Sequence, residues 1–449
     1  HATIRRQRQM CIRDRDQARL DSVAGLATGG LVSGYRGSPL ATFDVELWRA
    51  NRHLDGHKID FLPAVNEDMA ATIMAGAQQA EQQPSTTVDG VFGLWYGKGP
   101  GVDRSGDAIK HGNMYGSSPN GGVLMMAGDD HGCVSSTISH QSEYGFIGAS
   151  LPVLNPSTID ELISFGLFGF ALSRYSGLWV GMKSIAELIE AGASIDLAPL
   201  PAFARPPLVN TADGLHIRWP DAPGLHLEDR MEAKLDAAAI FAAANPVDRV
   251  IHGNDDARIG FVTTGKAHGD LMETLRLLGL DSAACRELGI DIYKIGLAWP
   301  IEEKGAAAFM RGKTEIIVVE EKRGIVEEQI RSLATRMGPG RPEHITGKSG
   351  PDGGRFIPST GELAPDLLLP MVAARLDAHC SGHDFCGRAA ALLPQPSRQN
   401  SPAFPQRAPH FCSGCPHNSS TKVPKGSESL AGIGCHFLVT LMDRDAKYV

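Results

Sequence analysis

Cys412-Ser-Gly-Cys415 and, further on, Cys435 within Gly432-Ile-Gly-Cys-His are the grouped thiols of a chain with eight cysteines. A C-x-x-C spacing presents two thiolates from one tight loop, which suits tetrahedral zinc or one iron of a [4Fe–4S] cube, and Gly414 lets backbone N–H groups approach sulfur. Zinc would take His417 or His436 as its fourth ligand, whereas a cluster would need a further cysteine from elsewhere. Redox-active or inert thiols are the third reading. Covalent haem attachment needs C-x-x-C-H, and Pro416 intervenes before His417. The other five, Cys11, Cys133, Cys285, Cys380 and Cys386, lie in unrelated settings and read as buried, inert thiols. Eight cysteines in 449 residues are too few for a disulfide framework.

A second candidate is Asn66-Glu67-Asp68, at the start of the alanine-rich stretch Met69-Ala-Ala-Thr-Ile-Met-Ala-Gly-Ala. Acids in a first helical turn complement the helix dipole, and that alone explains them. A carboxyl following the apolar Phe61-Leu-Pro-Ala-Val can also have a raised pKa and act in proton transfer or in a strong hydrogen bond. Third, Gly34-Tyr-Arg-Gly-Ser-Pro39 follows an expected strand, so it lies where ligands bind at the carboxyl end of a parallel sheet. A glycine turn with a hydroxyl, Ser38, and a guanidinium, Arg36, suits a carboxylate, although an ordinary βα turn looks the same. Gly128-Asp-Asp-His131 with Ser135-Ser136 has the same placement. Gly97-Lys-Gly-Pro-Gly-Val-Asp-Arg104 is glycine-rich, but neither it nor Gly265-Lys266 carries the G-K-[ST] of a phosphate-binding P-loop.

The elements that must position these residues alternate. Short apolar runs (Leu31-Val-Ser-Gly, Gly90-Val-Phe-Gly-Leu-Trp, Gly121-Gly-Val-Leu-Met-Met-Ala, Leu151-Pro-Val-Leu, Gly177-Leu-Trp-Val-Gly) are separated by helical stretches such as Asp68 to Gln82. Strands alternating with helices imply βαβ units and a parallel sheet. A Pro-rich passage, Leu197-Ala-Pro-Leu-Pro to Pro207 and then Trp219-Pro-Asp-Ala-Pro-Gly, reads as a linker. A second βαβ unit follows, with strands Arg258 to Gly265, Ile290 to Gly296 and Glu315 to Glu320. A further Pro-rich stretch, Leu393 to Pro409, leads into the cysteine segment. The fold class expected is α/β.

The charge balance is 43 basic against 51 acidic residues, net −8, which offers no basic footprint for nucleic acid. No run of about 18 apolar residues is present and nothing at the start reads as a signal peptide, so neither a membrane span nor export is expected. The cytoplasm is the expected location. The opening His1-Ala-Thr-Ile-Arg-Arg-Gln-Arg-Gln is basic and patternless, and residues up to about 12 are set aside as foreign to the fold. Phe437-Leu-Val-Thr-Leu-Met, close to the last residue, reads as the interior of an apolar segment, so the sequence is taken as a fragment truncated at its C-terminus.

Taken together, these segments resemble the 2-oxoacid:ferredoxin oxidoreductases, most closely the fused, single-chain indolepyruvate ferredoxin oxidoreductases of proteobacteria. The resemblance covers nearly everything from residue 14 to 449. It rests on Gly34-Tyr-Arg-Gly-Ser-Pro-Leu, Val65-Asn-Glu-Asp, Trp95 to Asp107, Ala127-Gly-Asp-Asp-His with Ser135-Ser, and Cys412-Ser-Gly-Cys-Pro-His with Gly432-Ile-Gly-Cys, in the family's order.

That resemblance implies a thiamine-diphosphate-binding fold: a pyrimidine-binding domain over 14–225, a transketolase-C-like domain over 230–395, and the opening of a diphosphate-binding domain over 405–449. Glu67 matches the glutamate that hydrogen-bonds the aminopyrimidine ring and favours the tautomer whose nitrogen removes the thiazolium C2 proton. Gly37 and Ser38 match a loop beside cofactor and substrate carboxylate, with Arg36 in place of that loop's first Pro. Arg36 and Ser38 are therefore the expected substrate contacts, and Gly37, Ser38 and Glu67 the expected cofactor contacts. Cys412, Cys415 and Cys435 match three ligands of a [4Fe–4S] cluster. Lys98, Asp103, Arg104, His111 and Asn113 are expected around the pocket without assigned roles.

The reaction implied is oxidative decarboxylation of an arylpyruvate, indolepyruvate in this family, to arylacetyl-CoA and CO2, with coenzyme A taking the acyl group and ferredoxin the electrons. A homodimer is implied because the family forms its cofactor site between domains of different chains. The Gly-Asp-Gly and later Asn that hold Mg2+ and the diphosphate are missing from these 449 residues, which are therefore expected to be inactive alone. Two other readings fit the residues. One is a non-redox thiamine-dependent arylpyruvate decarboxylase with structural zinc at the three cysteines. The other is a non-catalytic, zinc-stabilised assembly module.

Overall fold

A computed structural model describes residues 2–4, 9–195, 199–207, 213–254, 256–393, 408–432 and 434–448. β1 (Ala2–Ile4) lies at the start of the chain. The first large sheet is built from β2 (Gly29–Gly34), β3 (Ile59–Phe61), β4 (Val91–Lys98), β5 (Val123–Asp129), β6 (Val153–Leu154) and β7 (Trp179–Ile185), and β8 (Ala193–Ile195) follows it. In that sheet the order β6-β7-β5-β4-β2-β3 is parallel throughout. The expected α/β class with parallel sheets is what forms.

The strand runs are buried because helices cover both faces, as in parallel sheets generally. Alternation along β4 shows the two faces directly. Phe92, Leu94 and Tyr96 pack with α2 (Phe43–Asp55), α7 (Ile159–Ser176) and α9 (His226–Ala244). Trp95 points the other way, towards α3 (Glu67–Ala77), α5 (Gly106–Tyr115) and α6 (Glu143–Gly148). The short helices α4 (Gly99–Arg104) and α8 (Ala186–Ile189) follow β4 and β7, and α1 (Gln9–Val23) precedes β2. Local signals set the ends of α7: the Thr158 hydroxyl accepts from Glu161 N, and Gly177, at φ +74, closes the helix in the left-handed region.

The second sheet holds β9 (Arg249–Val250), β10 (Ile259–Thr264), β11 (Ile290–Ile295), β13 (Glu315–Val319) and β14 (His344–Thr346), in the order β14-β13-β10-β11-β9, with only β9 antiparallel. Helices α10 (Lys266–Leu277) and α14 (Pro365–His379) pack on one face, and α12 (Glu303–Met310) and α13 (Val326–Arg336) on the other. The short α11 (Ser282–Glu287) leads into β11. A small cluster of Phe411, Ala431 and Val439 organises the cysteine segment, where β15 (Ser429–Ala431) pairs with β16 (Ala446–Tyr448).

Three features depart from the sequence reading. Helix α9 places Met231, Ala237, Ala238, Phe241 and Ala242 in the first unit's core, so that core extends past the Pro-rich passage to residue 244. β12 (Leu297–Trp299) leaves the second unit and pairs antiparallel with β6, becoming the outer strand of the first sheet. Ala2–Ile4, set aside as foreign, pairs with β8 through backbone groups, a contact that needs no side-chain pattern. Among the described residues no helix is long and apolar enough to cross a membrane. Cys285 and Cys380 are buried, whereas Cys133 is half-buried and Cys386 exposed. Cys11 has no described side chain.

Candidate active site

The first sheet has a switch point. From β2 the chain steps to β3 on one side, and from β3 it crosses back over β2 to β4 and β5 on the other. Ligands of open α/β sheets bind at the carboxyl ends of strands at such a point. The loops that follow β2, β4 and β5 converge there. Ser135 Oγ lies 2.7 Å from Ser38 Oγ, and Lys98 Nζ donates to Ser135 O at 2.9 Å. A Cβ on Gly37 would sit 3.1 Å from Lys98 Cβ, so the β2 loop lies directly against the lysine.

Asp130 is the organiser of the third loop. It accepts from Val134 N at 2.9 Å, Ser135 N at 2.8 Å and Ser136 Oγ at 2.6 Å. Burial alone would raise its pKa, but the Ser136 hydroxyl, the two amides and the Lys98 ammonium outweigh it and hold the carboxyl below its usual value. Burial lowers the Lys98 ammonium, in part against the pull of Asp130. Arg36 is mostly exposed and leans on the buried Asp44 at 3.6 Å, so a neighbouring carboxylate shares its charge. Asp44 also accepts from Tyr96 Oη at 2.8 Å.

Glu67 opens α3. Asn66 caps that helix by accepting from Met69 N at 2.8 Å, and Trp95 Nε1 donates to Glu67 O at 2.9 Å, which pins the backbone. The half-buried Glu67 carboxylate has no hydrogen-bond or ion-pair partner among the described residues, and it fills the space beside Gly97 and Gly101. A Cβ on Gly101 would lie 2.5 Å from Glu67 Cγ. Gly101→Ala should therefore move the carboxylate by about 1 Å, enough to cost about 100-fold in any turnover that depends on its position. Because Ala is the better helix former, stability should change by less than about 1 kcal/mol. Steady-state kinetics beside thermal melts check both.

On the far side of α4, His140 is clamped between acids. Its Nε2 lies 2.7 Å from Asp103 Oδ2 and its Nδ1 3.4 Å from Asp129 Oδ1, while Ser142 N donates to Asp129 at 2.8 Å. Gly99 is obligatory here, since a Cβ would lie 2.3 Å from His140 Nδ1. Burial lowers the imidazole pKa, but the hydrogen bonds to Asp129 and Asp103 overcome it and raise the value from 6.5 to about 9. The sign follows: the stabilisation is fully present below 6.5, the unfolded value, and is lost as pH rises through about 9. Unfolding midpoints across that window should fall with pH, and fall less in His140→Gln.

Of the residues expected around the pocket, Lys98 lies at the loop junction. Asp103 instead holds His140, and Arg104 is exposed. Asn113 is a structural residue, fully buried, donating to Ala149 O and accepting from Trp179 N. His111 lies with Thr72, Ala75, Tyr115, Ile217 and Trp219 along a groove of about 260 Å³ between α3 and α5, away from Glu67. Sequence reasoning missed His140, Gln141 and Ser142, which belong to no motif and matter only through partners distant in sequence.

Cys412, Cys415 and Cys435 do not assemble a ligand set. Cys412 and Cys435 are exposed, and Cys415 Sγ lies 3.3 Å from His417 Nδ1. Among the described residues no group of three or more His, Cys, Asp or Glu stands close enough to hold a metal. The metal-site geometry expected from the sequence is thus not formed here.

The second unit coincides with a known domain. The family model described as "Indolepyruvate oxidoreductase domain" matches residues 249–396. Over those residues the second unit is similar to an indolepyruvate oxidoreductase domain. Over a longer span the chain is similar to the indolepyruvate oxidoreductase subunit IorA of Methanothermobacter thermautotrophicus, at 24% identity over 403 residues, covering 87% of this chain and 56% of that one. It is likewise similar to the subunit of the same name from Archaeoglobus fulgidus, at 24% identity over 410 residues, covering 88% and 58%. The chain thus spans little more than half the length of these curated relatives. Among solved structures, the fold is similar to that of the 2-oxoglutarate:ferredoxin oxidoreductase from Magnetococcus marinus with 2-oxoglutarate, coenzyme A and succinyl-CoA bound. The TM-score is 0.53 at 14% identity, covering 84% of this chain and 65% of that one.

Proposed function

We propose that this chain supplies the pyrimidine-binding side of a thiamine-diphosphate-dependent indolepyruvate oxidoreductase. The observation that carries the reading is the Glu67 carboxylate, half-buried, without a partner among the described residues, beside Gly97 and Gly101 that flank Lys98 of the switch-point loops. A carboxylate that loses its water when a ligand covers it needs a new partner, and a protonated ring nitrogen of an aminopyrimidine can donate to it. Thiamine diphosphate, when bound, supplies the carbanion that attacks a 2-oxo acid and takes up the electron pair left by CO2. The residues of this chain do the rest. Glu67 holds a proton at the aminopyrimidine ring. Ser38, with Gly37 letting the loop lie against Lys98, offers its hydroxyl to cofactor and substrate. Arg36 and Lys98 provide positive charge for the substrate carboxylate.

The overall conversion balances as arylpyruvate, coenzyme A and two oxidised ferredoxins giving arylacetyl-CoA, CO2, two reduced ferredoxins and a proton. Indolepyruvate is the proposed substrate, and a homodimer the proposed assembly. Mg2+ would bind the diphosphate through residues not found among these 449. Cys412, Cys415 and Cys435 stand as proposed ligands of a [4Fe–4S] cluster on their spacing and on the resemblance. Anaerobically purified full-length protein should contain iron and acid-labile sulfide; zinc without sulfide would overturn the redox reading. The direct test is calorimetric titration of full-length protein with thiamine diphosphate and Mg2+, followed by indolepyruvate, coenzyme A and an oxidised ferredoxin. Saturable binding with release of CO2 and reduced ferredoxin is expected, and absence of binding rejects the proposal.

A further inference from the structure

The segment Glu320-Glu-Lys-Arg-Gly324, just after β13, belongs to the second domain but reaches the loop that carries Asp130, Ser135 and Ser136. Lys322 is buried, with its backbone in the left-handed region at φ +58, unusual for a residue with a side chain. Its ammonium donates to His131 O at 2.6 Å. Beside it, Gln141 donates to Arg323 O at 3.1 Å and accepts from Arg323 N at 3.3 Å. The Arg323 guanidinium lies 3.8 Å from the centre of the Tyr144 ring, a cation–π contact.

The segment is itself fixed from behind. Glu320 accepts from Ile325 N and Val326 N at 3.0 Å and from Glu327 N at 2.8 Å, capping α13. Glu321 accepts from Leu363 N at 3.1 Å. A hydrogen-bonded hook of one domain thus holds both ends of the 131–141 loop of the other. Inside that loop Asp130 gathers Ser135 and Ser136, and Ser135 touches Ser38 and Lys98.

We propose that Lys322 is a positioning residue for the candidate active site. Through His131 it keeps the Asp130–Ser136 turn in register with Ser38, so the second domain governs the geometry of a site to which it contributes no reacting group. This rests on the site reading given above. It also gives the second domain a role in substrate capture.

Hydrogen exchange of the full chain tests it, with Lys322→Met, Gln141→Leu, Lys322→Arg and Arg375→Met. The last breaks the pair with Glu315 at the opposite end of β13 and serves as the control. In Lys322→Met and Gln141→Leu, amides of the 131–141 segment should exchange at least about tenfold faster, the factor that loss of one charge-assisted hydrogen bond represents. Lys322→Arg should restore most of the protection, and Arg375→Met should leave the segment at the parental rate. In the holoenzyme the KM for indolepyruvate should rise more than kcat falls in Lys322→Met. Unchanged exchange in the folded variants, or an equal rise in Arg375→Met, overturns the proposal. Should Lys322→Met fail to fold, Gln141→Leu decides the matter, because it removes only a partly exposed amide. If the parent shows no thiamine-dependent turnover, the function proposed above falls while the exchange comparison still decides the hook.

Discussion

On the proposed function, Glu67→Gln should lower indolepyruvate turnover by about 10²–10⁴-fold, the range for removing a group that moves a proton in the transition state. The fold should barely notice. The Glu67 carboxylate makes no hydrogen bond within the described chain, and the helix it opens is capped by Asn66 and pinned by Trp95 Nε1 to the Glu67 carbonyl, none of which the substitution touches. Loss of one negative charge at a helix N-terminus is worth about 0.3–1 kcal/mol. Asp68→Asn is the informative control, because it removes a charge of the same sign from the same helical turn. If the acids serve only the helix dipole, the two variants behave alike; if Glu67 serves the cofactor, only Glu67→Gln loses turnover while both melt within about 1 kcal/mol of the parent.

The second large effect is on stability. Arg174, on α7, makes a two-pronged pair with Asp21 of α1 at 2.5 and 2.9 Å and donates to Gly121 O at 2.7 Å, at the entrance to β5. Asp21 also accepts from Thr28 Oγ1 and from Gln17. Both partners are nearly inaccessible to solvent, with side chains 5% and 3% exposed. Arg174→Met leaves a carboxylate without its cation in the interior, so a loss of about 3–5 kcal/mol is expected in urea unfolding. The double variant Arg174→Met with Asp21→Leu should recover much of that loss, since replacing both charges by apolar groups removes the desolvation penalty together with the attraction. A double variant no better than the single one would mean that the Gly121 carbonyl contact carries the effect instead.

What could be read from the residues was whatever is local. The run Val91-Phe-Gly-Leu-Trp-Tyr is apolar along its whole length, so it announces a strand buried on both faces. Gly37, Ser38, Gly97 and Ser135 fall just after such runs, which is why the loop junction is legible in the sequence. Glu67 was ambiguous: its placement at a helix start fits a dipole role equally well, and the comparison of Glu67→Gln with Asp68→Asn is what separates the two. His140 could not be found, because its neighbours Ser139 and Gln141 form no pattern and its acids are supplied by β5 and α4. Nor could Lys234, a buried amine that caps α5 by donating to the carbonyls of Asn113 and Met114 from a helix more than a hundred positions later. Asn113 looked like a pocket residue and is instead an internal bracket for Trp179. Pairings across such separations are decided by packing and leave no mark on spacing.

The antiparallel strand that the second domain lends to the first has a consequence for how the chain is made. As the polypeptide leaves the ribosome, the first sheet can pair all its own strands once α9 is out, but its flank at Val153–Leu154 stays open until Leu297–Trp299 has emerged. An unpaired strand edge is a template for association with other chains. Nascent chains stalled between those two points are therefore the aggregation-prone species, and a truncation ending after α9 would carry the same open edge for good.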